Sequence, residues 1–199
     1  MSDKKTKTSV STQNAVPIAQ KMILTITIKP ETWILAPAVT EDQLKRYRNL
    51  GWIDEEGLHL DRAFPRNSEG KPIILKLWLR APMIRACKEL HRSGQIDGDY
   101  CRKIVNNFSI VDDNGRKLDY VVVQESPLRY RKVIGDTGKT MFFEYFDSTF
   151  TITFKIETED PQTFLNVLKE AQYIGLMGGT KKGYGKFKVV NVEAKPAFG

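Results

Sequence analysis

At 199 residues with 41% hydrophobic content, the chain is long enough for one domain with elaborations around an apolar core. Its 31 Lys and Arg against 24 Asp and Glu leave a formal charge of +7, a balance that favours a polyanionic partner. No apolar run approaches the roughly 18 residues that cross a bilayer, so no membrane partner is expected. Two histidines and two cysteines outside any C-x-x-C pair give no zinc-ligand set.

Residues 1–20 read as a flexible polar arm, charged but without the apolar centre of a secretory signal. Residues 21–199 read as a single domain, with insertions at about 30–75 and 93–147. Reduced thiols at Cys87 and Cys101 and a cytoplasmic location are the simplest expectation. No metal or organic cofactor is indicated.

The run from Met22 to Ile28 alternates apolar residues with Thr, as a strand buried on one face requires. Pro30 ends it. Residues 31–75 read as a long irregular insertion, with a short helix over 40–50 capped by Thr40 or Asp42. Long insertions in compact domains are commonly functional. This one holds Trp33, Trp52, His59 and Phe64 among Lys45, Arg46, Arg48, Arg62, Arg66 and Lys71. Aromatic rings between cations are what single-stranded nucleic acid needs; the same rings also serve to pin a loop to the body.

A first long helix covers Leu77 to Leu90, with its regular part expected near Ala81 so that Pro82 falls in the first turn. Met83, Ala86, Cys87 and Leu90 form its apolar stripe. Arg85, Lys88 and Arg92 lie toward its other side, joined by Arg80 before the regular helix. Residues 93–104 read as a loop with a short helix. Two hairpins follow, one turning at Asn114-Gly115 and leading into Leu118–Gln124. The other joins Leu128–Ile134 to Met141–Phe146 and carries Arg129, Arg131, Lys132 and Lys139. Phe150–Glu157 alternates strictly, and Asp160-Pro161 opens a second helix in the order of cap and first-turn proline. A last strand is expected from Lys186 to Glu193. Without the insertions, the order is βαββαβ. The chain is therefore expected to be α+β and ferredoxin-like (RRM-like), an antiparallel sheet backed by two helices.

Between the second helix and the last strand stands G-L-M-G-G-T-K-K-G-Y-G-K, five glycines within eleven residues. Such a density has an entropic cost and fits a backbone that must take positive φ or pass close to another chain segment. Lys181, Lys182, Lys186 and Lys188 surround it, and backbone N–H groups with Lys are a means of holding phosphate. A plain helix-to-strand connection is the alternative reading. The spacing is not that of a P-loop, and the helix-before-strand order is not that of a dinucleotide fingerprint.

From Gly178 to Val189 the sequence resembles the glycine-rich signature of the RAMP superfamily of CRISPR-associated proteins, most closely the backbone subunits of type III effector complexes. Lys182 stands at the basic position of that signature and Tyr184 at its aromatic position. The stretch E-G-K-P-I-I-L through L-R-A-P-M-I-R-A resembles the family's segment entering the first helix, with Gly70, Pro72, Arg80 and Arg85 at comparable places. Its small-residue P-G-S-S turn is missing, and Leu77-Trp78 fills that space.

The resemblance implies RNA binding, antiviral defence and assembly into a ribonucleoprotein with other RAMP-like subunits or copies of the chain. The partner would be single-stranded RNA, either guide or target. Gly178, Gly179, Lys181, Lys182, Gly183, Tyr184, Gly185, Lys186, Arg80, Arg85 and Lys88 would contact it. A thumb-like hairpin is also implied, either the 31–75 insertion or the hairpin around Lys132–Lys139. If the chain cleaves RNA, the resemblance points to an aspartate after the first strand, Asp54 or Asp61 (with Asp42 behind them). A metal-independent endoribonuclease would instead use His59, since histidine suits general acid–base cleavage, while His91 suits a helix C-terminus. A third reading is an interaction protein from a mobile element that mimics such subunits.

Overall fold

The computed structural model describes residues 21–123, 129–134, 138, 140–177 and 183–197. The expected N-terminal arm lies outside them, as do Gly178, Gly179, Lys181, Lys182 and Lys139.

Strand β1 runs over Met22–Pro30 and buries Leu24, Ile26 and Ile28, the alternate residues of the sequence pattern. A short β2 (Ile34–Leu35) and a helix α1 (Glu41–Asn49) follow. Thr40 and Gln43 close a capping box at the start of α1, satisfying amides that the helix leaves open. A 3-10 turn over Glu56–His59 leads to β3 (Ile73–Leu75) and α2 (Lys76–Arg92). The expected irregular insertion thus contains a helix, a turn and two short strands.

Helix α2 begins five residues before the expected start near Ala81, and Pro82 is interior and buried. Two contacts explain this. No side chain caps the helix, but the carbonyl of Asp119 accepts from the Lys76 amide at 2.8 Å. Leu79, Pro82 and Met83 are buried together, and burial of each large side chain contributes about 1.5–3 kcal/mol. That offsets the hydrogen bond which proline withholds from the carbonyl of Trp78.

Helix α3 (Gly98–Asn107) is capped by Asp97, which accepts from the Tyr100 amide. It crosses α2 closely because Gly98 leaves room for the His91 ring; a Cβ there would lie 3.0 Å from it. The crossing corrects the expectation of reduced thiols. Cys87 on α2 and Cys101 on α3, with Cα atoms 5.7 Å apart, form a disulfide.

Strands β4 (Ser109–Val111) and β5 (Lys117–Leu118) form the first hairpin. Its Gly115 takes φ +77°, and the Asp112 carboxylate accepts from the amides of Asn114 and Arg116. The expected long strand Leu118–Gln124 instead divides: β6 (Tyr120–Val122) leaves the main sheet and pairs with β3. The second hairpin forms as expected, from β7 (Arg129–Ile134) and β8 (Thr140–Phe146). Strand β9 (Ile152–Thr158), helix α4 (Pro161–Ile174) and β10 (Phe187–Pro196) complete the chain.

The main sheet has the order β10-β1-β9-β4-β5, with every pairing antiparallel. Helices α2 and α4 pack on one face of it, so the frame is the expected ferredoxin-like βαββαβ. The other face carries Thr25 and Thr27 beside Thr153, Lys155 and Asn191. None of these is aromatic. The open sheet therefore lacks the ring platform on which RNA-recognition domains stack bases.

Beside this frame stands an outer lobe, built from residues 31–75 and the β7–β8 hairpin. The two segments expected as alternative thumbs form one body. Strand β2 pairs with β8, and the Asp61 amide donates to the carbonyl of Phe142 at 2.7 Å. Leu44, Tyr47, Ile53, Leu60, Ala63 and Phe142 share a small core. At its edge Glu144 and Arg66 form a bidentate pair, 2.5 and 3.3 Å, with their side chains 0% and 3% exposed. The Phe64 amide donates to the same carboxylate at 2.7 Å. Burial pushes the Glu144 carboxyl above its ordinary range, while Arg66 and the Phe64 amide pull against it.

Candidate nucleic-acid interface

The described part of the glycine loop is a stem closed by two glycines. Gly175 ends α4 at φ +90° and Gly185 takes φ +82°. A Cβ on Gly175 would come within 2.8 Å of the carbonyl oxygen of Tyr184, and one on Gly185 would fall on that of Leu176. The bare backbones approach closely enough for the Leu176 amide to donate to Gly185 at 2.8 Å. Both glycines meet the entropic cost with a contact that no other residue permits. Met177, just beyond, takes φ +64°, a conformation in which an unbranched side chain carries strain.

The stem is clamped to the segment after β1. The Gly185 amide donates to the carbonyl of Trp33, and Lys186 is held on both sides of its peptide by Thr32 and Glu31. Tyr184 lies parallel to Trp33, with ring centroids 5.8 Å apart and planes 8° from parallel. Tyr184 is thus engaged by a protein ring on one face. Gly183, at φ +83°, has no described atom within 4 Å of its Cβ direction.

Arg85 is exposed and makes no hydrogen bond or ion pair with another described residue. With Arg62 it flanks a cavity of about 300 Å³ whose floor includes Gly175 and Met177. Trp78, Ala81 and Pro82 of α2 and Pro37-Ala38 after β2 form the remaining walls. The other basic residues of α2 point elsewhere. Arg80 lines a separate hollow with Asn106 and Asp119, and Lys88 lines a third with His91 and Arg102 over Cys87. The helix therefore presents one cation, Arg85, to the cavity that Gly175 and Met177 border.

Arg62 was not singled out by its place in the sequence. Backbone bridges to Ala38 and Phe143 bring it to the cavity, and no local spacing encodes those. Gly70 packs its backbone on the Trp52 ring, where a Cβ would lie 2.6 Å away. Trp33, Trp52 and Phe64 each pack against protein, as pins of the lobe.

The aspartates put forward for cleavage hold backbone. Asp54 accepts from the Gly57 amide at 2.9 Å, and Asp61 accepts from the Phe142 amide at 2.8 Å. His59 is exposed at the end of the 3-10 turn, without a hydrogen bond or ion pair to another described residue.

No family model matches the chain, and no curated protein matches its sequence. Among solved structures, a chain in the cryo-EM structure of the Type III-B Cmr-beta bound to cognate target RNA superposes with a TM-score of 0.58 at 10% identity. The match covers 89% of this chain and 61% of that one. The likeness is one of fold, and this chain spans about three-fifths of the other's length.

Proposed function

We propose that the chain is a RAMP-like, RNA-binding subunit of a CRISPR-type ribonucleoprotein. It holds the phosphate backbone of single-stranded RNA with its glycine-rich loop and Arg85, beside other RAMP-like subunits or copies of itself. The observation that carries this reading is the stem at Gly175 and Gly185. Gly175 and Met177 at this stem line one cavity with Arg85 and Arg62, cations that face no carboxylate among the described residues lining it. Likeness of fold to a chain of an RNA-bound Cmr-beta complex supports the same reading.

The test begins with the purified protein: its absorbance ratio, its mass in size-exclusion chromatography and extraction of copurified nucleic acid. A raised 260/280 ratio with discrete RNA in a large assembly is expected. Replacing Lys181 and Lys182 together by Ala should weaken RNA binding and lower its salt slope by about one per lost phosphate contact, and Arg85→Ala should do the same for one contact. Binding unchanged in both variants would remove the loop and helix from the interface.

A further inference from the structure

Trp78, Ala81, Pro82 and Arg85 follow one another at i, i+3, i+4 and i+7, the spacing of a single helical stripe. All four line the cavity of about 300 Å³ between α2 and the outer lobe. The stripe reads as a wide flat ring, two small residues that leave space beside it, and a cation at the far end. Trp78 packs against the main core and stays partly exposed. With Pro37 and Ala38 it also borders a neighbouring cavity of about 210 Å³. Arg62 closes the first cavity from the lobe, and among the described residues no carboxylate lines it. Its volume sits at the lower end of the roughly 300–1,000 Å³ of small-molecule sites.

We propose that this cavity is a nucleotide pocket: one base of single-stranded RNA stacks on Trp78, and its flanking phosphates meet Arg62 and Arg85. The inference rests on the RNA-binding reading above and adds base contact to it. Three observations select this occupant. A flat ring beside two cations, with no opposing carboxylate among the described lining residues, matches a planar group bearing negative charge. The open face of the sheet, with Thr25, Thr27 and Thr153, supplies no ring of its own. The aromatic at the glycine loop, Tyr184, has one face taken by Trp33. Base stacking of this kind tolerates any sequence, because every base has a π-face.

The experiment is photo-crosslinking of the full chain to a single-stranded oligouridylate carrying 5-iodouracil, with the adduct mapped by mass spectrometry. The expected adduct is on Trp78. Two variants accompany it, with thermal unfolding recorded for each. Trp78→Leu keeps an apolar side chain against the core but removes the ring, and should weaken binding about tenfold; Trp78→Phe should recover most of that loss. RNA binding with adducts elsewhere and with Trp78→Leu unaffected would overturn the pocket and leave the backbone-binding reading intact. That result is also the one expected if a protein side chain occupies the cavity. Failure of the wild-type chain to bind the oligonucleotide at all would overturn both. Should Trp78→Leu fail to fold, the adduct map on the wild-type protein decides alone.

Discussion

In the centre of the frame, Leu24, Ile26 and Ile28 of β1 meet Ile156, Phe164 and Val167, all fully buried and all apolar. The outer lobe's own apolar contacts are divided: among the described residues one cluster gathers Leu44, Tyr47 and Phe142 with Ile53, Leu60 and Ala63, and another gathers Leu35, Phe143 and Tyr145. Beside them lie a guanidinium and a carboxylate, both shielded from water. The frame is held by area removed from water, which has no direction. The lobe adds to its smaller apolar clusters hydrogen bonds whose partners must be present and aligned. A sheet built on area tolerates conservative exchange of one apolar residue for another; a lobe built on an ion pair should be sensitive to single atoms.

The largest expected effect follows from that difference. Glu144→Ala leaves the Arg66 guanidinium buried without its partner and the Phe64 amide without its acceptor. Breaking a buried pair in this way costs about 3–5 kcal/mol, and chemical denaturation would read it. The double variant Arg66→Met with Glu144→Leu removes both charges and should recover most of the loss. If Glu144→Ala unfolds no more easily than the original chain, the lobe is held by its small apolar clusters and the contrast with the frame fails.

The frame has a covalent element that the lobe lacks. Cys87 and Cys101 are 14 positions apart, and closing a loop of that size stabilises by about 3 kcal/mol in the chain-entropy model. Replacing both by Ser, or adding a reductant, should lower the unfolding midpoint by a corresponding amount. A midpoint indifferent to both would show that the α2–α3 crossing stands on packing alone, as in the rest of the frame.

The frame was legible in the sequence because its signals are local. Alternation in Met22–Ile28 and Phe150–Glu157, and the cap and proline at Asp160-Pro161, each act within a few residues of where they are read. What was not legible depends on distant partners. The start of α2 is fixed by a carbonyl at Asp119, across the β3–β6 pair. The disulfide depends on how α3 crosses α2, and the union of the two expected thumbs on β2 finding β8. Arg66 looked like one more surface cation among many; only its tertiary partner Glu144 makes it different. The candidate site divides likewise: the glycines were visible as a run, while the meeting of Arg62 with Arg85 and Trp78 was not. Asp54 and Asp61 drew attention as loop carboxylates, and each accepts a backbone amide that no sequence pattern announces.

Between frame and lobe stands the glycine stem, and a single methyl group tests it. Gly185→Ala would place its Cβ on the Leu176 carbonyl oxygen while holding φ at +82°. Strain of this class costs about 1–3 kcal/mol. The expected result is a less stable chain with a weakened clamp on Trp33. Gly183, with the same sign of φ but no described atom within 4 Å of its Cβ direction, should respond less to the same change. Equal responses at the two positions would mean that conformation alone, and not the close approach of two backbones, accounts for the glycines.

The smallest effect lies at the start of α4. Burial pushes the Asp160 carboxyl upward, but the Thr163 and Gln162 amides and the Thr163 and Tyr100 hydroxyls more than offset it, and the net shift is downward. Asp160 accepts from the Thr163 amide at 3.0 Å and from the Tyr100 hydroxyl at 2.9 Å. It thus caps α4 and ties it to α3. Because the folded carboxyl titrates below its unfolded counterpart, its contribution is complete above the ordinary carboxylate range and is lost as pH falls through the lowered value. Loss of such a cap costs about 1 kcal/mol. Asp160→Ala should therefore reduce stability by about that amount at neutral pH and by progressively less on acidification, while Asp160→Asn, which can still accept at the cap, should remove the acid dependence but little of the stability. A difference between wild type and Asp160→Ala that stays constant from neutral to strongly acidic pH would show that the cap acts through shape and not through its charge.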